Sequence, residues 1–192
     1  MSKFYPINIL DLLESVPENE ISDALLSFKC DKNEEIESYI HKNAIDFSKR
    51  KISVTHLVLD DKANIVGYFT LTHKPARIPA DLLSNTSIKK IEKYAKIDEG
   101  TNSYDASAFL IAQFGKNSNV DSSLSGDEMM DMAISVLLKA QRQIGGGIVF
   151  LECENKENLL NFYQNENNRF VPYGERFSEK ENITYKQLLR LF

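Results

Sequence analysis

Apolar residues recur along this chain with two different periods, and the alternation of those periods lays out the elements. Ile9, Leu10, Leu12 and Leu13 can share one face, with Asn8 or Asp11 near its start, which predicts a first helix over residues 7–14 that Pro17 interrupts. Ile36, Tyr39, Ile40 and Ala44 recur at three- and four-residue spacing behind a polar start, predicting a second helix from about Asn33 to Lys49, with Phe28 and Cys30 leading into it. Residues 52–59 and 65–72 are rich in β-branched and aromatic side chains, and the polar stretch 60–64 between them suits a tight connection, so they predict a hairpin. Pro75 and Pro79 break the pattern, residues 82–94 read as short helical pieces, and 98–103 reads as a surface loop.

The second half alternates more regularly. A strand over 107–115 precedes a polar loop and a long amphipathic helix, 126–144, that carries Met129, Met132, Ala133, Val136, Leu137 and Ala140 and ends at Gly145, Gly146 and Gly147. A strand over 148–154, a short helix over 156–164, a strand start at 170–173 and a final strand over 183–192 follow. A strand, a crossover helix and the next strand normally give adjacent parallel strands, so the expected sheet is mixed, a βαβ unit beside an antiparallel hairpin. No internal repeat, sustained heptad or low-complexity tract competes with one compact α/β core.

Composition narrows this further. The length of 192 residues suits a single domain spanning 1–192 that needs neither disulfides nor structural metals. The longest apolar runs, such as 108–112, are far too short to span a bilayer, and residues 1–6 lack the pattern of a secretory leader, so the expected compartment is the cytoplasm. Cys30 and Cys153 have neither each other nor histidines at metal spacing and read as buried thiols, with no metal expected. His41, His56 and His73 are scattered without triad or metal spacing and read as structural or solvated. A net charge of -5 opposes broad nonspecific binding to nucleic acid, which relies on a positive field, and leaves room for a local basic patch.

Three segments carry candidate chemistry: Phe109-Leu-Ile-Ala-Gln-Phe-Gly-Lys116, then Val120-Asp-Ser-Ser-Leu-Ser-Gly-Asp-Glu-Met-Met130, then Ile148-Val-Phe-Leu-Glu-Cys-Glu154 with Leu160-Asn-Phe-Tyr163. Read locally, Ser125 with Glu128 three residues on is a capping box, and Leu151/Cys153 and Glu152/Glu154 point to opposite faces of one strand. Exposed glutamates on a sheet and Phe162 and Tyr163 as packing aromatics remain the plain structural alternatives.

In order and spacing these segments resemble the acetyl-CoA region of the GNAT superfamily of N-acetyltransferases, and with Phe28 to Cys30, Val54 to Leu59 and Val66 to Leu71 the resemblance covers roughly residues 20–190. It implies a mixed, mostly antiparallel sheet with a parallel splayed pair at its centre, flanked by helices, and acetyl-CoA as cosubstrate. Leu110, Ile111 and Ala112 would meet the pantetheine arm through their backbone. Ser123, Leu124, Ser125, Gly126 and Asp127 would offer amides to the pyrophosphate at a helix N-terminus. The loop departs from the family pattern of Gln or Arg, two residues, Gly, any residue, then Gly or Ala, since Gly126 is its one glycine. Asn155 and Asn158 fall where family members often place a polar side chain near the pantetheine.

Tyr163 matches the tyrosine that protonates the departing thiolate in many members, and Glu152, or Glu154 on the same face, is the candidate base for the acceptor amine. The function implied is acetyl transfer from acetyl-CoA to a primary amine, on a small molecule or peptide, by direct attack. A non-catalytic module binding CoA or a protein partner is one alternative. Another is the toxin branch that acetylates aminoacyl-tRNA, for which Lys49, Arg50, Lys51, Lys74 and Arg77 would form a basic cleft mouth. Nucleic acid enters only with that branch, no membrane partner is expected, and a homodimer is compatible with the sequence.

Overall fold

A computed structural model of the chain describes residues 3–192. Its elements run β1 (Phe4–Asn8), α1 (Ile9–Leu13), α2 (Glu18–Leu26), α3 (Glu34–Lys42), α4 (Ala44–Lys49), β2 (Val54–Asp60), β3 (Ile65–Pro79), a 3-10 turn (Ala80–Leu82), α5 (Asn85–Ile91), β4 (Ile97–Asp98), β5 (Ser103–Lys116), α6 (Gly126–Ile144), β6 (Ile148–Glu154), α7 (Glu157–Gln164), β7 (Val171–Ser178) and β8 (Ile183–Leu191). The strands are ordered β1-β2-β3-β5-β6-β8-β7, with β4 on β5. The pairing is antiparallel at β1/β2, β2/β3, β4/β5, β6/β8 and β7/β8 and parallel at β5/β6, the mixed sheet that the sequence implied. The chain divides into two compact units, one of Met1–Thr72 with Ile111–Ile134, the other of His73–Leu110 with Ser135–Phe192.

In the first unit, four short helices cover one face of the β1–β3 hairpins. Ile9, Ile21, Leu25, Phe28, Ile40, Ala44, Leu57 and Tyr68 form its core. Phe28 meets Tyr68 edge-on at 5.2 Å, and the Tyr68 hydroxyl donates to the Ile36 carbonyl at 2.6 Å, so this buried phenol brings its own partner. The first expected helix proves to be a strand and a helix: Phe4–Asn8 pairs with β2 from Phe4↔Asp60 to Asn8↔His56, and the Asn8 side chain then caps α1 by accepting from Leu10 N–H. The second breaks at Asn43 into α3 and α4. Asn33 caps α3 through Glu35 and Ile36 N–H, and Glu34, Glu35 and Glu37 at one end with His41 and Lys42 at the other suit the helix dipole. Helix α2 was not visible as a separate element, because Ile21 and Leu25 are its two buried positions and its third large apolar residue, Leu26, is exposed.

In the second unit, Ala76, Ile78, Ile91, Tyr104, Ala106, Ala108, Ile148, Phe150, Tyr173 and Leu189 make the core, closed by α5. Strand β3 runs through Pro75 to Pro79, against the expected break. Its register with β2 ends at Val54↔Leu71, so on that side Pro75 has no ladder bond to lose. The expected surface loop 98–103 is the turn of the β4–β5 hairpin. Helix α6 has the expected bounds and stops where Gly145 and Gly146 take φ of +78° and +97°, a conformation that glycine adopts without strain. Gly147 lies against the Tyr94 ring so closely that any side chain there would collide with it.

Cys30 and Cys153 are both buried thiols, as expected. No helix among the described residues is long and apolar enough to cross a membrane, and none of their His, Cys, Asp and Glu side chains gather in a group that could hold a metal ion.

His41 bonds through Nε2 to the Phe28 carbonyl at 2.9 Å, and the exposed His73 bonds to the Ser107 hydroxyl at 2.9 Å. His56 stacks on Phe69 with centroids 5.2 Å apart, and its Nδ1 is the one buried side-chain polar atom without a hydrogen-bond partner among the described residues. Burial pushes this imidazole below its ordinary pKa. The stability held by its neutral form is therefore complete above the unfolded value, about 6.5, and is lost as pH falls below it. Replacing His56 by Leu should lessen the fall in urea midpoint between pH 8 and pH 5, the two conditions compared; an unchanged difference would contradict this assignment.

Candidate functional site

The candidate residues divide between the two units, and each group is built by its own elements. In the first unit the strand end Ile111–Lys116 leads through residues 117–125 into α6. Asn117 fastens that loop at its root: its side chain accepts from Lys29 N–H at 3.0 Å and donates to the Ile65 carbonyl at 2.7 Å. Leu124 is the anchor at the other end, 1% exposed and close to Gly67 of β3. The family pattern placed with its last position on Gly126 puts Leu124 where a second glycine would stand. Leu124 at this position packs in the interior.

Two amides of this loop, those of Leu124 and Ser125, already have partners. Ser125 N–H donates to the Glu128 carboxylate at 2.8 Å and Glu128 N–H donates to the Ser125 hydroxyl at 3.1 Å, the capping box read from the sequence. These bonds to Ser125 hold the Glu128 carboxyl below its ordinary pKa. Leu124 N–H donates to the Ser122 hydroxyl at 3.2 Å. The α6 N-terminus thus already attracts an anionic group, its own glutamate.

Two cations flank the loop that sequence reasoning did not single out. The Lys116 ammonium donates to the Leu124 carbonyl, and the Lys3 ammonium donates to the Ser123 hydroxyl at 3.3 Å. Lys116 ends β5 just as the loop departs, and a lysine there was legible as sequence but not as a neighbour of residue 124. Ser123, Ser125 and Ala112 are exposed, Gly126 and Asp127 half-buried, and Ile111 buried.

In the second unit, Leu110 is half-buried on β5 and pairs with Phe150 of β6, as Phe109 does with Val149. Asn155 stands exposed at the bend after β6, and Asn158 is exposed in the first turn of α7. Tyr163 lies on α7, 8% exposed, edge-on to Phe162 at 4.9 Å and to Phe170 at 6.0 Å. Burial raises its phenol well above the ordinary value, with the nearby Cys153 adding to the shift, and the same burial takes the Cys153 thiol up to about 11. Any thiol and phenol placed here are raised together, since desolvation penalises both anions.

Glu152 and Glu154 share one face of β6, opposite Gln187 and Tyr185 of β8. Glu152 accepts from Arg176 through Nε at 2.8 Å and Nη2 at 2.7 Å, both on Oε2, and from Gln187 Nε2 at 2.8 Å on Oε1. A carboxylate offers about four lone-pair positions, so one remains on Oε1 for a further donor. The Arg176 guanidinium lies 5.1 Å over the Tyr185 ring, which fixes the pair from the far side. Glu154 pairs with Lys156 at 2.7 Å.

The five basic residues suggested as a cleft mouth are largely neutralised: Lys49 pairs with Glu18 at 2.9 Å, Arg50 with Asp46 at 3.1 Å and Arg77 with Asp105 at 2.9 Å. They are also divided between the units, with Lys49, Arg50 and Lys51 in the first and Lys74 and Arg77 in the second.

No protein-family model and no curated protein matches the sequence. Solved structures do match in fold. AtaT complexed with acetyl-methionyl-tRNAfMet superposes with a TM-score of 0.63 at 16% identity, over 87% of this chain and 86% of that one. AtaTR bound with AcCoA gives 0.61 at 15% identity over 100% and 94%. A tyrosine-to-phenylalanine mutant of KacT gives 0.64 at 16% identity over 96% and 94%. The order of strands, the parallel β5/β6 pair and these superpositions agree: the chain has the fold of the GNAT-type acetyltransferases.

Proposed function

We propose that residues 1–192 act as one acyltransferase domain that moves an acetyl group from acetyl-CoA to a primary amine by direct attack. The observation that supports this best is the chain order within the fold: strand β5, an amide-bearing loop, the capped N-terminus of α6, strand β6, then α7 with its buried Tyr163. A structure of similar fold with bound AcCoA points to the same cosubstrate.

In this reading the backbone of Leu110, Ile111 and Ala112 holds the pantetheine arm by strand addition, with Asn155 and Asn158 beside it. The pyrophosphate takes the amides of Ser123 to Asp127 and displaces the Glu128 carboxylate from Ser125 N–H. Lys116 and Lys3 supply the positive charge that the loop lacks where the family pattern has Gln or Arg. Tyr163, protonated throughout the neutral range because burial raises its pKa, gives its proton to the sulfur as the C–S bond breaks. Glu152, held by Arg176 and Gln187, offers its remaining Oε1 position to the acceptor's N–H, directly or through water. Positioning of amine and thioester supplies much of the rate gain.

A second reading concerns the acceptor. AtaT, similar in fold over 87% of this chain, is seen with acetyl-methionyl-tRNAfMet, which favours the amino group of an aminoacyl-tRNA as the acceptor here. The chain's net charge of -5 requires that any RNA be met by a local basic surface.

Calorimetry should show acetyl-CoA binding that Gly126→Trp abolishes, and Tyr163→Phe should lower kcat by about 10²-fold with little change in binding. Binding without turnover in the wild type would favour a CoA-binding module instead, and no binding would remove the acetyltransferase reading. Lys116→Gln should weaken acetyl-CoA about tenfold while leaving acetyl-pantetheine, which has no pyrophosphate, unchanged. An equal loss for both ligands would make Lys116 a structural support of the loop.

A further inference from the structure

Between Ile88 and Ile97 the chain carries four lysines, Lys89, Lys90, Lys93 and Lys96, against one acid, Glu92, a local charge of 4 − 1 = +3 in a protein of net charge -5. Ile88, Ile91 and Ala95 pack into the core of the second unit. Beyond Ile91, where α5 ends, Tyr94 and Ala95 N–H bond back to the Ile91 carbonyl at 2.8 and 3.0 Å and close a tight turn. With that face inward, Lys89 and Lys93, four residues apart, lie on the outside, and Lys96 follows on the exposed connection to β4. All four lysines are exposed, and among the described residues no ion pair reaches any of them. This contrasts with Lys49, Arg50 and Arg77, each of which is paired.

Tyr94 lies between Lys93 and Lys96 in the chain. Its ring lies against Gly147, where a side chain would collide with it, yet the residue is 42% exposed. The ring thus lies on the Gly147 backbone while part of it is left to solvent, and Ile97, three residues on, is 39% exposed. Exposed cations with a partly exposed ring match a nucleic-acid strand, which offers phosphates to the first and base faces to the second. An acidic protein segment would use the lysines and leave the ring idle.

We propose that Lys89, Lys93 and Lys96 together with Tyr94 form a docking surface for single-stranded RNA. The phosphates meet the lysines and a base stacks on the Tyr94 ring. The surface deepens the second acceptor reading and rests on it, giving an acidic protein the local positive field that RNA requires.

The test is fluorescence anisotropy of a short unstructured RNA oligonucleotide with the full chain, titrated at several salt concentrations. The wild type should bind, and the triple variant Lys89→Gln/Lys93→Gln/Lys96→Gln should flatten the plot of log K against log salt by about 2, near 0.7 for each phosphate no longer neutralised. Tyr94→Leu should weaken binding about tenfold and Tyr94→Phe should restore it, since stacking needs the ring and not the hydroxyl. Failure of the wild type to bind RNA, or an unchanged salt slope in the triple variant, overturns the proposal. Competition by polyglutamate as strong as by RNA, with Tyr94→Leu binding like the wild type, also overturns it and marks a surface for an acidic protein. Acetyl-CoA binding by the triple variant should equal that of the wild type. Loss of acetyl-CoA binding in every variant, wild type included, with RNA binding intact, would sink the acetyl-transfer reading and leave the RNA surface standing.

Discussion

The parallel pairing of β5 with β6 is the constraint on which this fold depends. It joins Phe109 to Val149 and Leu110 to Phe150 and goes no further, although β5 has 14 residues and β6 has seven. Parallel neighbours cannot be linked by a tight turn, so the chain must travel the length of the sheet and return, which is what the 19-residue α6 does. Both ends of that crossover are then prescribed. Its start needs partners for the first amides, which Ser125 and Glu128 provide, and its finish needs a left-handed turn, which Gly145 and Gly146 provide. The capped start of the helix and the turn that ends it come from one topological requirement.

The loop before α6 is held at both ends by its own residues. Leu124 is buried, and Lys116 and Lys3 bond to the Leu124 carbonyl and the Ser123 hydroxyl. Glu128 fills the helix terminus with an internal anion. The second unit works by burial instead: the environment that lifts the Tyr163 phenol also lifts the Cys153 thiol to about 11, so a phenol there stays a proton donor at neutral pH. Glu152, by contrast, is held by Arg176 and Gln187 with both oxygens in use, a geometry suited to orienting a partner as much as to removing its proton.

Much of this was legible because it rests on local periodicity. Helix α6, strand β6 and the β2–β3 hairpin declare themselves by long apolar patterns with caps or turn residues at their ends, and the Ser125/Glu128 box follows from spacing alone. Strand β1 escaped because five residues containing Pro6 carry no alternation strong enough to separate them from the helix that follows, and α2 because it buries only Ile21 and Leu25. Pro75 misled because its cost depends on which side of β3 needs a donor, a tertiary fact. The same holds for the site: Tyr163 and Gly126 could be matched by motif, whereas Lys3 at Ser123, 120 residues away, Arg176 at Glu152 and Tyr94 on Gly147 exist only once the chain is folded.

On the proposed function, the loop before α6 receives the pyrophosphate of acetyl-CoA. Backbone amide chemical shifts of the isotope-labelled protein, followed while acetyl-CoA is added, test it most directly. The largest changes should fall on Ser123 to Glu128, with smaller ones at Leu110 to Ala112, and Ser125 should move most as it exchanges the Glu128 carboxylate for phosphate. Saturable shifts confined to other residues, or no shifts at all in the folded protein, would contradict it.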